Sequence, residues 1–184
     1  MALTETPVCN FGEKAKNFNL LSTENKKISL NDIKGENGTL IMFICNHCPY
    51  VKAVINDIVE DVKYLENLGI KSVAIMSNDI KNYPEDSFEN MISFSKLHNF
   101  SFPYLIDETQ MTAKEYGAVC TPDFFGYNKD LELQYRGRIR ELKDLKPVRN
   151  GDSDLKNAMK SVAKTGKGPI NQIPSMGCNI KWFE

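Results

Sequence analysis

Cys45 and Cys48 enclose two residues in the run Cys45-Asn46-His47-Cys48-Pro49-Tyr50. At that spacing on the first turn of a helix, two sulfurs come close enough to make and break a mutual disulfide with little backbone movement. Free N–H groups and the helix dipole at such a terminus stabilise a thiolate. Cys45, facing solvent, is therefore the expected nucleophile, with a protonated His47 adding to the stabilisation. Cys48, one step deeper, is the expected resolving thiol that releases a mixed disulfide. That chemistry is thiol–disulfide exchange, and it requires no cofactor. Two other readings start from the same residues. Both cysteines could be small buried hydrophobes. Alternatively, His47, Cys120 or Cys178 could complete a zinc or copper(I) site with them, making the chain a metal-binding or metal-delivery protein.

The surrounding elements must deliver that helix start. Residues 39–45, Thr-Leu-Ile-Met-Phe-Ile-Cys, are almost continuously apolar and β-prone, the composition of a strand covered on both faces. Val51, Val54, Ile55, Ile58, Val62 and Leu65 then recur at helical spacing, with Pro49 at the start and Gly69 past the end, predicting a helix of about five turns. Ile70 to Met76 supplies a second apolar strand, and the cysteines sit at the first junction of the resulting βαβ unit. Downstream, Pro84 opens a helical pattern carrying Phe88, Met91, Ile92 and Ser95. Residues 100–106 read as extended, and 107–116 as a short helix closed by Gly117. Residues 123–127 and 131–136 read as a hairpin turned by Asn128-Lys129-Asp130, and Leu155, Ala158, Met159, Val162 and Ala163 mark a final helix. Residues 12–20 and 28–33 are expected to form an N-terminal hairpin extension, and 166–184 an irregular tail containing Cys178 and Trp182. This order predicts an α/β protein with three layers, α/β/α, around a mixed central sheet.

A chain of 184 residues with no linker-like or repetitive tract is expected to be one domain over residues 1–184. Lys and Arg number 23 against 24 Asp and Glu, for a formal charge of −1, which leaves no basic field for nucleic acid or an anionic membrane. No apolar run reaches the roughly 18–20 residues of a membrane span. The opening Met-Ala-Leu-Thr-Glu-Thr has no basic segment followed by an apolar one, so a cytoplasmic protein is expected. Five scattered cysteines, Cys9, Cys45, Cys48, Cys120 and Cys178, are an odd number and unlike the disulfide framework of a small secreted domain.

Cys45-Asn-His-Cys48-Pro-Tyr after an apolar strand, with Cys120-Thr121-Pro122 ahead of a later one, resembles the thioredoxin-like superfamily. The likeness is greatest to its redoxin branch, related to alkyl hydroperoxide reductase and thiol-specific antioxidant proteins. Gly12-x-x-Ala15-x-x-Phe18-x-Leu20 is similar to the redoxin opening, with Lys16 where a proline is usual. Pro174-Ser-Met-Gly-Cys178-Asn-Ile-Lys-Trp182 is similar to the ending of one thioredoxin-like subgroup. The resemblance implies a thioredoxin-like fold and thiol–disulfide oxidoreductase activity on protein or small-molecule disulfides and thiols, with an antioxidant thiol peroxidase as the alternative. It also implies Pro122 as a cis-proline facing the cysteine pair, with Thr121 offering backbone polar groups to a substrate strand beside Cys45.

The sequence departs from these relatives in two places. Peroxidatic redoxins carry Pro-x-x-x-Thr-x-x-Cys; here Ile41 and Cys45 take the proline and threonine positions ahead of Cys48, which counts against peroxide activation. Thioredoxins place an acid on the strand beneath the site, whereas residues 40–44 hold none; Asp123 or a water is then the expected acceptor of the Cys48 proton. Within Tyr135-Arg-Gly-Arg-Ile-Arg140, the peroxidase reading would put Arg136 or Arg138 near the cysteines, while solvated ion pairs are the simpler expectation. Cys120 reads as a packed thiol. Cys178 reads either as a redox relay on a movable tail or as a plug anchored by Trp182, and His98 as a surface or cap residue.

Overall fold

The run that precedes the cysteines alternates between two cores. The computed structural model describes residues 2–184, and within it Leu40, Met42 and Ile44 enter one apolar cluster while Ile41 and Phe43 enter the other. A strand buried on both faces produces this division, because successive side chains point to opposite sides of a sheet.

In chain order the strands are β1 (Leu3–Glu5), β2 (Asn19–Ser22), β3 (Lys27–Ser29), β4 (Gly38–Phe43), β5 (Ile70–Met76), β6 (Tyr104–Ile106), β7 (Cys120–Thr121), β8 (Asp123–Tyr127), β9 (Leu133–Tyr135), β10 (Leu142–Lys143), β11 (Lys146–Pro147) and β12 (Met176–Asn179). The helices are α1 (Pro49–Glu66), α2 (Phe88–Leu97), α3 (Met111–Tyr116) and α4 (Asp154–Thr165). Seven strands form the central sheet in the order β3-β2-β6-β5-β4-β8-β9. The β4–β5 and β5–β6 pairs are parallel and the others antiparallel. Helices α1, α2 and α4 pack on one face and α3 on the other, which is the three-layer α/β/α arrangement of a thioredoxin-like fold. Among the described residues, no helix is long and apolar enough to cross a membrane.

Helix α1 runs 18 residues and buries Val51, Val54, Ile55, Ile58, Val62 and Leu65, the stripe its spacing predicts. Gly69, at φ 76°, takes the left-handed turn that sends the chain into β5.

Several boundaries differ from the sequence expectation, the short helix expected over 107–116 beginning only at Met111 and the strand expected over 131–136 covering only Leu133–Tyr135. Pro84–Asp86 is a single 3-10 turn, because the Ser87 hydroxyl accepts from Asn90 N–H and starts α2 afresh. Only Tyr104–Ile106 of the expected 100–106 strand is extended. The N-terminal hairpin, β2–β3, is an edge of the main sheet rather than an appendage, since β2 pairs with β6. The tail after Gly166 is not wholly irregular: β12 lies between β1 and β7 in a separate three-stranded sheet.

Candidate active site

The Cys45-to-Cys48 loop is held from outside by Asp86. Its Oδ1 accepts the backbone N–H groups of Asn46 at 2.8 Å and His47 at 3.3 Å. Its Oδ2 lies 2.6 Å from His47 Nδ1 and accepts from Asn78 at 2.8 Å. Tyr104 donates to the Asn46 side chain at 2.9 Å, and the His47 ring stacks on Tyr83. Burial works to raise the Asp86 carboxyl, but the hydrogen bonds from His47 and Asn78 outweigh it and hold Asp86 below its ordinary value. The hydrogen bond to Asp86 in turn raises His47 against partial burial. Any positive charge on His47 is therefore matched by Asp86 rather than free to stabilise a Cys45 thiolate.

Both sulfurs meet Thr121. Cys45 Sγ lies 3.4 Å from Thr121 Oγ1, and the Cys48 thiol donates to the Thr121 carbonyl at 3.1 Å. The peptide bond from Thr121 to Pro122 is cis, in the place the resemblance implies. Contrary to the expected solvent-facing sulfur, Cys45 is 1% exposed and Cys48 0%. Cys48 is the N-cap of α1 and is brought down to about 5. The largest cause is its hydrogen bond with Cys45, working against burial, with Thr121, Cys178 and the Val51 N–H adding. Burial, then Cys48 and Asp86, push Cys45 well above an ordinary thiol. In such a coupled pair one proton leaves early and the other late. The lowered thiol is the helix-terminal Cys48, the opposite sulfur from the one the sequence reading favours, and the hydrogen bond it donates to Thr121 belongs to its protonated form.

The edge of β7, expected to be open to a substrate strand, is occupied by the chain's own tail: β12 pairs antiparallel with β7, Cys178 opposite Thr121 and Asn179 opposite Cys120. Beyond this edge, a groove of about 400 Å³ is lined by Tyr50, Pro122, Arg138, Ile139, Ser175 and Met176.

Several sequence candidates lie elsewhere. Asp123 is bound to Arg136, with Arg136 Nη2 3.0 Å from Oδ2, and also accepts from Val119 N–H; its carboxylate is not a partner of Cys48. Arg138 pairs with Asp154, and Arg140 with buried Asp57. Arg136 and Arg140 thus pair with buried carboxylates rather than in solvent, while the Arg138–Asp154 pair is partly exposed, as expected for a solvated one. Cys120 is buried, its thiol 3.7 Å from Pro122 O. His98 caps the end of α2. Asp86 is the group the sequence reading missed. It lies 38 positions beyond Cys48 in a turn whose acids resemble ordinary helix-start residues, so no local signal marked it.

One group of possible metal donors stands together among the described residues: Cys45, His47 and Asp86 each place one donor atom within 4.8 Å of the others. His47, Asn46 and Asn78 already engage both oxygens of Asp86. Cys120 and Cys178, the other ligands considered from the sequence, are outside this group.

Known proteins fit this geometry. A Geobacillus kaustophilus structure, described as an uncharacterized conserved protein, superposes with TM-score 0.94 at 38% identity, covering 100% of this chain and 97% of that one. A thioredoxin-family thiol:disulfide interchange protein from Chlorobium tepidum TLS shares the fold, with TM-score 0.60 at 16% identity over 83% of this chain and 94% of that one. The thiol-disulfide oxidoreductase ResA of Bacillus thuringiensis subsp. konkukian (strain 97-27) is 28% identical over 134 residues, 69% of each chain. The AhpC/TSA family profile matches residues 11–142, the segment that builds the central sheet and the cysteine site, and the chain belongs to that family, in the redoxin branch of the thioredoxin-like superfamily.

Proposed function

We propose that the chain is a thiol–disulfide oxidoreductase in which Cys45 and Cys48 alternate between dithiol and disulfide, Cys45 attacking and Cys48 resolving, with Thr121 and Pro122 forming the adjacent platform. The observation that carries this reading is the meeting of both sulfurs on Thr121. A resting charge on Cys48 is compatible with attack by Cys45. Moving one proton from Cys45 to Cys48 produces a Cys45 thiolate beside the Thr121 hydroxyl and a Cys48 thiol donating to the Thr121 carbonyl.

Cys45 then attacks a substrate disulfide, forming a mixed disulfide and expelling one substrate thiolate. Cys48, its proton passing to the expelled substrate thiolate, attacks the Cys45 sulfur. The Cys45–Cys48 disulfide closes, the second substrate thiolate leaves, and two electrons have passed to the substrate. The same steps in reverse oxidise a dithiol. Protein or small-molecule disulfides and thiols are the substrates, and a reducing cytoplasm would run the pair as a reductant. Because both sulfurs are buried, each turnover includes a local opening.

Equilibration with dithiothreitol and glutathione buffers, followed by acid quenching and mass mapping, tests the assignment. The expected result is a single two-electron transition of Cys45 and Cys48, abolished by Cys45→Ser. A pair that remains dithiol across the full range sinks it. Peroxide consumption at turnover rates would favour the peroxidase alternative. A stoichiometric metal that is lost in Cys45→Ser would favour metal binding.

A further inference from the structure

Cys178 stands directly opposite Thr121 across the β7–β12 pair. Directly opposed residues of an antiparallel pair present their side chains on the same face, and successive residues on one strand face opposite ways. The Thr121 hydroxyl faces Cys45, so Cys178 faces the cysteine pair and Cys120 faces away from it. Cys48 and Cys178 are close enough for each to shift the acidity of the other.

The strand that carries Cys178 is fixed in place. Ser175 Oγ donates to Pro122 O at 2.7 Å, and Ser175 exchanges two hydrogen bonds with Thr6. Beyond β12, Lys181 N donates to Asn78 Oδ1 at 2.9 Å. The tail thus lies where a substrate strand would pair with Thr121. Cys178, 4% exposed, is the least buried of the three sulfurs around Thr121.

We propose that Cys178 is a third redox thiol, which attacks Cys48 in the Cys45–Cys48 disulfide and carries the oxidation outward onto β12. The proposal rests on the Cys45–Cys48 reading above. In the exchange the Cys48–Cys178 bond forms, the Cys45–Cys48 bond breaks, and the electron pair leaves on Cys45. Cys178 is pushed up to about 12, first by burial, and Cys45 is also raised, so the proton lost by Cys178 is the one Cys45 takes up. No external oxidant is consumed. An incoming thiol reductant then attacks the Cys178 sulfur and expels Cys48 as thiolate. Because the Cys48 thiol lies lowest of the three, that sulfur is the best leaving group.

The test is disulfide mapping of Cys45→Ser after one equivalent of diamide, which takes two electrons from the thiols. The Cys48 and Cys178 thiols should disappear together, one for one, as an intramolecular bond. Cys120→Ser added to that background should leave the yield unchanged. Cys48 remaining free, or pairing between molecules or with Cys120, overturns the relay. If Cys45→Ser fails to fold, acid-quenched wild type supplies the result: both the Cys45–Cys48 and Cys48–Cys178 isomers support the relay, and Cys45–Cys48 alone refutes it. A wild type that never forms Cys45–Cys48 at any oxidant level instead removes the reading beneath it, so the two failures are distinguishable.

Discussion

The Cys48 thiol donates to the backbone carbonyl of Thr121 at 3.1 Å, while the side chain of Thr121 addresses Cys45. One residue therefore serves both sulfurs, and its two contacts can be separated by mutation. Thr121→Val keeps shape and carbonyl but removes the hydroxyl. A hydrogen bond to a charged group contributes about 1.5–3 kcal/mol, so disulfide reduction should slow by at least about tenfold, while Thr121→Ser stays within about threefold. Stopped-flow reduction of a small aromatic disulfide measures both. Equal rates for wild type and Thr121→Val remove the hydroxyl from the mechanism.

Cys48 is held near 5 chiefly by the hydrogen bond from Cys45. Cys45→Ala removes that donor. The ultraviolet thiolate titration of the reduced protein should then move upward toward the ordinary thiol range near 8.5. An unmoved midpoint would show that the α1 terminus alone sets the charge.

His47 and Asp86 stabilise the fold over a defined pH range. His47 is raised, so its contribution is complete below its ordinary value of 6.5 and disappears as pH rises through the folded value. Asp86 is lowered, so its contribution is complete above its ordinary 3.8 and disappears as pH falls through the folded value. The melting-temperature gap between wild type and His47→Ala should be widest between the two ordinary values, at about pH 5, and narrow as pH rises above 6.5 through the folded value of His47. A gap constant across that range means the pair contributes only packing.

Local pattern made the cysteine junction legible. The apolar run of β4 and the stripe of α1 are both periodic signals, and together they place Cys48 at the helix start. Asp86 and β12 were not legible for the opposite reason. Asp86 reaches the loop only because the 3-10 turn following β5 folds back over it. The segment Met176-Gly-Cys-Asn179 has little β-character, and pairing on both edges by β1 and β7 is what makes it a strand. Burial of both sulfurs follows from the same long-range packing, which is why the expected exposure of Cys45 failed.

The buried Asp123–Arg136 pair should be structural. Burial pushes Asp123 up to about 6 even though Arg136 opposes the shift, and the guanidinium also donates to Gly117 O at 2.7 Å. Asp123→Asn leaves that charge without its counterion and should lower unfolding stability by about 3–5 kcal/mol, measured by urea denaturation. The pH–rate profile of disulfide reduction should keep its shape. A lost ionisation in that profile would restore Asp123 as the proton acceptor for Cys48.

Gly177 sets how closely the tail approaches the site. A Cβ there would run into the Thr121 carbonyl oxygen, the same atom that accepts from Cys48, and backbone cannot swing aside as a flexible side chain would. Gly177→Ala must therefore move β12 off β7, at about 1–3 kcal/mol. That movement uncovers the dithiol and draws Cys178 away from Cys48. Alkylation of the reduced Cys45 and Cys48 thiols by iodoacetamide should accelerate several-fold, and a Cys48–Cys178 disulfide should form less readily. Met176→Ala, at the exposed neighbouring position, should change neither. If Gly177→Ala alkylates at the wild-type rate while folded, β12 is not the barrier over the sulfurs, and the opening that admits substrate lies in the Asn46–His47 loop instead.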